Sequence, residues 1–245
     1  MKNAHWLPTL LFPALLLTAG CSHEGDAFGP RVRGVGPTET ETRTVSNFSR
    51  VELKIDAEVI LTQGSRQEVR VEGQRNILDV LETELNGDEL QIEYGHARVV
   101  GHDPVKVYIT VPSLSEVEVS GSGALRSASP WTAGSFRVQV SGSGEAEMNL
   151  AQVDGLRTSV SGSGEVKLRG NAATNNINIS GSGKVSAYDL STQDTYASIS
   201  GSGKAYVRAA RTLSAEISGS GTIYYRGNPT VSSRISGSGK VLSSN

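Results

Sequence analysis

Large and reactive side chains are scarce in this sequence of 245 residues, of which 5% are aromatic, one is cysteine and four are histidine. The lone cysteine, Cys21, excludes an intramolecular disulfide. Because no histidine follows His102, a catalytic Ser–His pair would have to join the two halves of the chain. The net charge of -2 is too small to indicate nucleic acid as a partner. So little aromatic volume favours a slim interior filled by small aliphatic residues.

The second half of the chain repeats the tetrapeptide Ser-Gly-Ser-Gly at steps of 18 to 21 residues. The residue before each copy is valine or isoleucine, and apolar and polar positions alternate on both sides. This alternation is typical of β-strands, and the step matches one coil of a β-solenoid. Flexible Ser-Gly linkers are the alternative, but they would not carry an aliphatic residue at the same offset in every copy. The sequence therefore predicts an all-β solenoid with about 18–21 residues per coil.

The repeat also predicts where its serines and glycines point. If the alternation continues through the tetrapeptide, the glycines face inward at a corner without room for a Cβ, and both serines face outward. Stacked coils would then form two serine columns with a spacing of about 4.8 Å, a candidate binding surface. The alternative is that serine simply fits best beside glycine at a tight corner. The two columns comprise Ser120, Ser122, Ser141, Ser143, Ser161, Ser163, Ser180, Ser182, Ser200, Ser202, Ser218, Ser220, Ser236 and Ser238.

Residues 1–20 have the features of a bacterial lipoprotein signal peptide. The apolar run Leu10–Leu17 is too short to span a membrane, and Cys21 follows small residues. The stretch that ends at Cys21 resembles a lipobox, although Thr18 stands where leucine is most common. We therefore predict a lipid on Cys21 that anchors the protein to a membrane. Because Ser22 is not the aspartate that resembles an inner-membrane retention signal, the outer membrane is favoured. An ordinary signal peptide with a free thiol nearby is the alternative.

Composition divides the mature chain into three parts. Residues 21–43 are rich in glycine and proline, which predicts a flexible tether. Residues 44–118 predict β-rich opening coils and a cap over the first open edge, with a short helix between Asn76 and Glu84. Residues 119–245 hold the repeat coils. The last residues, 243–245, leave the final coil thinly capped, which predicts a homo-oligomer paired through this C-terminal edge.

Several stretches of the first half carry a resemblance to one bacterial family. They are Phe48–Leu53, Ala57–Gly64, Val69–Gly73, Val107–Pro112 and Val119–Gly123. With matching positions between them, the sequence resembles the family described as putative auto-transporter adhesin, head GIN domain, over residues 44–243. The resemblance implies a right-handed parallel β-helix in a secreted or lipid-anchored protein. It brings no catalytic or binding residues, and the adhesin label rests on fold similarity.

Few residues are arranged for catalysis or metal binding. Glu145 and Glu165 share a column in adjacent coils and come closest to an acid–base pair. Because the same column continues as lysine, a solvated charged face is the simpler interpretation. His96, His102 and Asp103 lie within eight residues, at a spacing that matches no familiar set of metal ligands. No phosphate-binding loop or dinucleotide fingerprint is present, and we expect neither a metal nor a cofactor.

These features favour a non-catalytic lipoprotein of the bacterial envelope that faces the periplasm or the cell surface. Its β-helix would act as an adhesin, a spacer or a binding module for a glycan, peptidoglycan or protein ligand, through repeated weak contacts. A carbohydrate-active enzyme of the pectinase-like type is the alternative, and a groove with two or more carboxylates would favour it. A further alternative is an accessory module that recruits a protein partner in envelope stress.

Overall fold

The computed structural model describes residues 29–245 as stacked β-coils with one short helix. The first half contains β1 (Arg31–Val32), β2 (Thr38–Arg43), β3 (Arg50–Leu53), β4 (Glu58–Gln63), β5 (Glu68–Gln74), α1 (Arg75–Leu78), β6 (Leu81–Asn86), β7 (Glu89–Tyr94), β8 (Arg98–Val99), β9 (Lys106–Val111), β10 (Glu116–Val119) and β11 (Ala124–Ser127). The second half contains β12 (Trp131–Gly142), β13 (Glu145–Gly162), β14 (Glu165–Gly181), β15 (Lys184–Gly201), β16 (Lys204–Gly219), β17 (Thr222–Arg226), β18 (Thr230–Gly237) and β19 (Lys240–Ser243).

The repeat coils lie directly on one another, as the periodic sequence predicts. Val160 pairs with Ile179, and Ile179 pairs with Ile199, in parallel strands. All three side chains are buried, with at most 2% of their surface exposed. Each such aliphatic residue contributes about 1.5–3 kcal/mol by leaving water, so the column of branched side chains stabilises the stack. The β-solenoid prediction is confirmed.

Differences in coil length are absorbed on the side of the coil away from the tetrapeptide. The pairing between β13 and β14 is continuous except for a register shift between Leu150 and Val153. The pairing between β15 and β16 shifts twice, between Ala187 and Asp194. These irregular turns let coils of unequal length keep the tetrapeptides in register.

The first half stacks its coils in an order that differs from the chain order. Strand β3 lies between β7 and β10, and β4 lies between β9 and β11, all in parallel. The coil made by β7 and β9 is therefore the outermost one, although β3 and β4 precede it in the sequence. Its outer edge is covered by antiparallel strands, β6 on β7 and β5 on β9, and β2 adds to β5. This antiparallel cap covers the edges of β7 and β9, the outermost parallel strands of the stack.

The carboxylate of Asp88 helps to tie the cap hairpin to the coil beside it. Asp88 lies in the tight turn between β6 and β7, and it accepts hydrogen bonds from the side chains of Arg50 and Ser49. The Arg50 Nη2 to Asp88 Oδ1 distance is 2.7 Å. These bonds, that of Arg50 first, lower the pKa of Asp88 from its ordinary 3.8 to about 2. The carboxylate therefore stays ionised at any pH near neutrality.

One expectation for the first half is wrong and another is met in its shorter form. The interval 21–43 is not a tether in its described part, because β1 pairs with β8 and β2 pairs with β5 over six residues. Its strand Thr38–Arg43 is polar on both faces, so it lacks the apolar alternation that reveals a strand. The short helix expected between Asn76 and Glu84 is present as the single turn α1, and Leu81 already begins β6 with its side chain buried.

The predicted signal peptide and the lipidated Cys21 lie outside the described residues. Within residues 29–245, no helix has the length and hydrophobicity required to cross a membrane.

Candidate functional site

The Ser-Gly-Ser-Gly corner requires glycine at two positions for two different reasons. The first glycine of the copy at Ser180, Gly181, has a φ of +113°, and a Cβ there would lie 2.7 Å from the carbonyl oxygen of Gly162 in the preceding coil. The second, Gly183, is buried, and a Cβ there would overlap the Cγ1 of Val160. The expectation that both glycines face inward is thus wrong for the first one, which lies at the surface and stacks backbone on backbone.

Backbone hydrogen bonds hold this corner without help from the serine side chains. The N–H of Ser182 donates to the carbonyl of Gly162 at 2.9 Å, and that of Lys184 donates to the carbonyl of Gly164 at 3.0 Å. The equivalent bonds recur at the following copies, for example from Ser202 to Gly181. The ladder between coils therefore continues around the bend, which leaves the hydroxyl groups available for other partners.

The first serines of the copies form one continuous column on the outer surface. Along this column, each residue pairs in parallel register with the next, in the order Ser141, Ser161, Ser180, Ser200, Ser218 and Ser236. At its start, the hydroxyls of Ser120 and Ser141 donate to Glu52 and Glu118. In the described part of the chain, the hydroxyls of Ser161, Ser180 and Ser200 make no hydrogen bond to protein.

The second serines of the copies occupy the bend itself. They lie at the exposed tip of each corner, and from Ser163 onward their backbone N–H groups donate to a glycine carbonyl of the preceding coil. These residues are Ser122, Ser143, Ser163, Ser182, Ser202, Ser220 and Ser238. They form the edge of the surface, whereas the first serines lie on its flat part.

A depression runs beside the first serine column. Its other wall is a second polar column two residues earlier in each coil, where outward side chains recur on the same face. We call this depression of about 320 Å³ the serine groove, and its walls are Gln139, Ser159, Asn178 and Ser198 on one side and Ser141, Ser161, Ser180 and Ser200 on the other. The sequence analysis did not identify the wall formed by Gln139, Ser159, Asn178 and Ser198, although these residues keep a fixed offset from the tetrapeptide.

A second depression of about 480 Å³ adjoins the serine groove, two residues further back along the same strands. Its outward column brings together Arg137, Arg157, Asn176 and Tyr196. Arg137 lies 3.3 Å from Glu116, whereas Arg157 has no ion-pair partner among residues 29–245. Tyr196 is 51% exposed. Together the two depressions present hydroxyl, amide, guanidinium and phenol groups along one face of the stack.

Comparison with known sequences places this chain in a family. The sequence profile described as putative auto-transporter adhesin, head GIN domain matches residues 47–229. The chain belongs to this family. The resemblance noted in the sequence is thereby confirmed, and an adhesin description is typical of proteins of the bacterial surface or envelope. It does not suggest an enzyme.

Solved structures of other bacterial proteins share the fold of this GIN-domain protein. A putative lipid binding protein from Parabacteroides distasonis is 25% identical with a TM-score of 0.74, and the match covers 88% of this chain and 100% of the other. A putative adhesin from Bacteroides fragilis is 20% identical with a TM-score of 0.76, over 86% and 99% of the two chains. One from Parabacteroides merdae is 22% identical, with a TM-score of 0.68 over 88% and 99%. Among curated proteins, no sequence matches this chain.

The two glutamates that could form a catalytic pair are neutralised by lysines in this GIN-domain protein. Glu145 and Glu165 pair in register, as expected, but Lys167 lies 2.6 Å from Glu145 and Lys184 lies 2.8 Å from Glu165. The hydrogen bond to Glu145 raises the pKa of Lys167. The serine groove contains no carboxylate, and the adjoining depression contains only the ion-paired Glu116. Neither groove gathers the two carboxylates that glycoside hydrolysis requires.

One histidine of the cap, His102, takes part in local hydrogen bonds. His102 Nε2 lies 3.1 Å from the hydroxyl of Tyr94, and its Nδ1 lies 2.6 Å from the carbonyl oxygen of Asp103. Burial raises the pKa of Tyr94 to about 12, so this phenol remains protonated. Among residues 29–245, no group of three metal-ligating side chains comes together, so His96, His102 and Asp103 do not form a metal site there.

Proposed function

We propose that this protein is a non-catalytic envelope module that binds an extended polymer, a glycan or peptidoglycan strand, along the serine groove. The observation that carries the proposal is the in-register column of Ser161, Ser180 and Ser200, whose hydroxyls have no protein partner in the described chain. One neutral hydrogen bond contributes only about 0.5–1.5 kcal/mol, so a short ligand would bind weakly. A polymer that engages several coils at once gains from effective concentration without needing any single strong contact.

The proposal includes a lipid on Cys21 and a place at the outer membrane, facing the periplasm or the surface. Its support is the signal-peptide pattern of residues 1–20 and the isolated cysteine after small residues. Adhesin-type relatives agree with an envelope location. In this setting, the solenoid presents a long, regular face to polymers of the cell wall or of neighbouring surfaces.

A binding screen tests the serine groove. The chain from residue 22 onward, immobilised on a sensor, is presented with soluble glycans and with peptidoglycan fragments of increasing length. Replacing Ser161, Ser180 and Ser200 together by glutamine fills the groove without adding charge, and we expect binding of any positive polymer to be lost. The matched control replaces the corner serines Ser163, Ser182 and Ser202 by glutamine and should bind as the parent does.

Other results would contradict the proposal. Equal binding by the parent and the groove variant would mean that the serines only fit the corner. New reducing ends in the bound polymer would instead favour the pectinase-like enzyme. Affinity that does not rise with polymer length would argue against multivalent contact along the column.

A further inference from the structure

The outward side chains that follow the tetrapeptide form a ladder of ion pairs between neighbouring coils. Each glutamate is paired with a cation of the next coil. The pairs are Glu58–Arg126, Glu145–Lys167, Glu147–Arg169 and Glu165–Lys184. The ladder then stops, because neither column has a glutamate in the later coils. The first column continues as Lys204, Thr222 and Lys240, and the second as Ser186, Tyr206 and Tyr224.

Lys204, Arg208 and Arg226 are the cations that follow the ladder. Lys204 pairs in register with Lys184, and Arg208 pairs in register with Arg226. All three side chains are exposed, and none has an ion-pair partner among residues 29–245. Glu165 compensates Lys184, whereas Arg208 and Arg226 are like charges in adjacent strands and repel one another, so an anion bound beside them would be stabilising.

Three tyrosines stand in the same region. Tyr206 and Tyr224 stack with ring centroids 5.0 Å apart, and Tyr188 meets Tyr206 edge-on at 5.4 Å. The guanidinium of Arg226 lies 4.0 Å from the ring centroid of Tyr188, reaching back over two coils. This contact fixes the orientation of the guanidinium, which reduces the entropy lost when it binds a carboxylate.

We propose that this second surface binds an acidic polysaccharide, through its carboxylates. We call it the basic patch, and it consists of Lys204, Arg208, Arg226, Tyr188, Tyr206 and Tyr224. The lysine and arginine side chains would bind carboxylates of the polysaccharide, and each guanidinium group can donate two parallel hydrogen bonds to one carboxylate. The phenol hydroxyls offer hydrogen bonds to sugar hydroxyls. A depression of about 310 Å³ beside Tyr188 and Tyr206 gives room for a sugar unit, and Asp189 is the carboxylate at its border.

The side-chain arrangement favours a polysaccharide over an anionic membrane surface. Membrane-surface binding normally places aromatic or aliphatic side chains into the interface. The tyrosines of the basic patch pack on one another, and Tyr188 also packs on Arg226. All three rings are half-buried and do not project into solvent. The charges also spread along the stack over two coils, which suits a linear chain with regularly spaced carboxylates.

The test uses the full chain, purified in detergent, and polygalacturonate as the probe. Fully methyl-esterified polygalacturonate is the neutral counterpart with the same sugar backbone. Vesicles of phosphatidylcholine with and without phosphatidylglycerol form the lipid arm. We expect binding to polygalacturonate that weakens between about 0.1 M and about 1 M salt, where the Debye length falls from about 10 Å to about 3 Å.

Charge-matched variants locate the interaction. Replacing Lys204, Arg208 and Arg226 by glutamine should weaken polygalacturonate binding at least about tenfold, the equivalent of one charged hydrogen bond. The control replaces three cations of the ion-pair ladder by glutamine, with the same change in net charge, and should bind as the parent does. These control positions are Arg126, Lys167 and Arg169.

Each remaining outcome overturns the proposal. Equal loss in both triple variants would show a response to net charge alone. Equal binding of the methyl ester would show that carboxylates are not recognised, and binding only to vesicles with phosphatidylglycerol would assign the patch to lipid headgroups. Absence of binding in every arm would also refute it. Since the serine-groove variant leaves the basic patch intact, failure of one surface is distinguishable from failure of the other.

Discussion

Gly181 and Gly183 show how closely two successive coils approach at the corner. Gly181 has a left-handed φ and stacks on the backbone of Gly162, and Gly183 leaves room for the side chain of Val160. A Cβ added at Gly181 would clash with backbone atoms of Gly162, so a change of side-chain rotamer nearby could not relieve the clash. The same two contacts recur in the other repeat coils, so the tetrapeptide is a condition for stacking at this spacing.

Alanine at either glycine should therefore destabilise the protein. We expect Gly181→Ala and Gly183→Ala each to lower the free energy of unfolding by about 1–3 kcal/mol, through strain at the first and overpacking at the second. Denaturant unfolding followed by circular dichroism measures this loss. Gly134→Ala is the control, because its added Cβ would meet only Asp154 Oδ2, at 3.9 Å. If all three variants unfold alike, the corner does not set the spacing between coils.

Strand β18 is the element at which the stack ends in the described chain. It pairs with β16 on one side and has no strand on the other. Val231 and Ile235 are 37% and 43% exposed, whereas Leu213 and Ile217, their register partners in β16, are each 1% exposed. Apolar side chains and unpaired backbone groups thus coincide on one edge, the combination that favours strand pairing with another chain.

We propose that a second copy of the protein pairs with this edge. Sedimentation velocity over a range of concentrations should show a dimer that grows with concentration. Ile235→Lys places a charge at the edge and should shift the protein to monomer, whereas Ser214→Lys, outward on β16, should leave the dimer unchanged. A strict monomer at high concentration would contradict the proposal.

The regular elements are those that the sequence predicts best. The strict alternation and the recurring aliphatic residue before Ser161, Ser180 and Ser200 indicate strands directly, because a strand with one buried face requires apolar side chains at every second position. The serine column follows from the same register. The sequence was less informative about the groove, since Asn178 and Ser198 differ from coil to coil and only stacking shows that they form one wall.

The cap escapes prediction for physical reasons. Strand β2 is polar on both faces and depends on pairing with β5, a contact distant in sequence. The insertion of β3 between β7 and β10 also depends on long-range pairing, which no local pattern encodes. The basic patch is recognisable in the sequence only after the coils are aligned, because its cations are then seen to follow the last paired glutamate, Glu165.

At the scale of the whole molecule, the ordered cap begins close in sequence to Cys21, the residue proposed to carry the lipid. Residues 22–30 separate this cysteine from β1 and reach at most about 30 Å when fully extended. The cap would therefore lie near the membrane, and the C-terminal coils with the basic patch would point away from it. Such an orientation presents both proposed binding surfaces to polymers beyond the headgroups.

Removing the cysteine tests this anchor. Cys21→Ser should release the protein from the membrane fraction into the soluble fraction, because several acyl chains are needed for durable attachment. Fractionation with mass spectrometry of the N-terminal peptide measures both location and lipid. A parent protein that is soluble and carries an unmodified thiol at Cys21 would contradict the prediction.

The stacking order of the first coils has a consequence for synthesis. As the chain leaves the ribosome, β3 and β4 emerge early, but they gain both neighbours only when residues 89–127 have followed. Until then, this nascent segment exposes two unsatisfied edges that chaperones and proteases can bind. After residue 127, each new coil pairs with the coil made just before it. The later coils can therefore fold onto a finished strand edge as soon as they are synthesised.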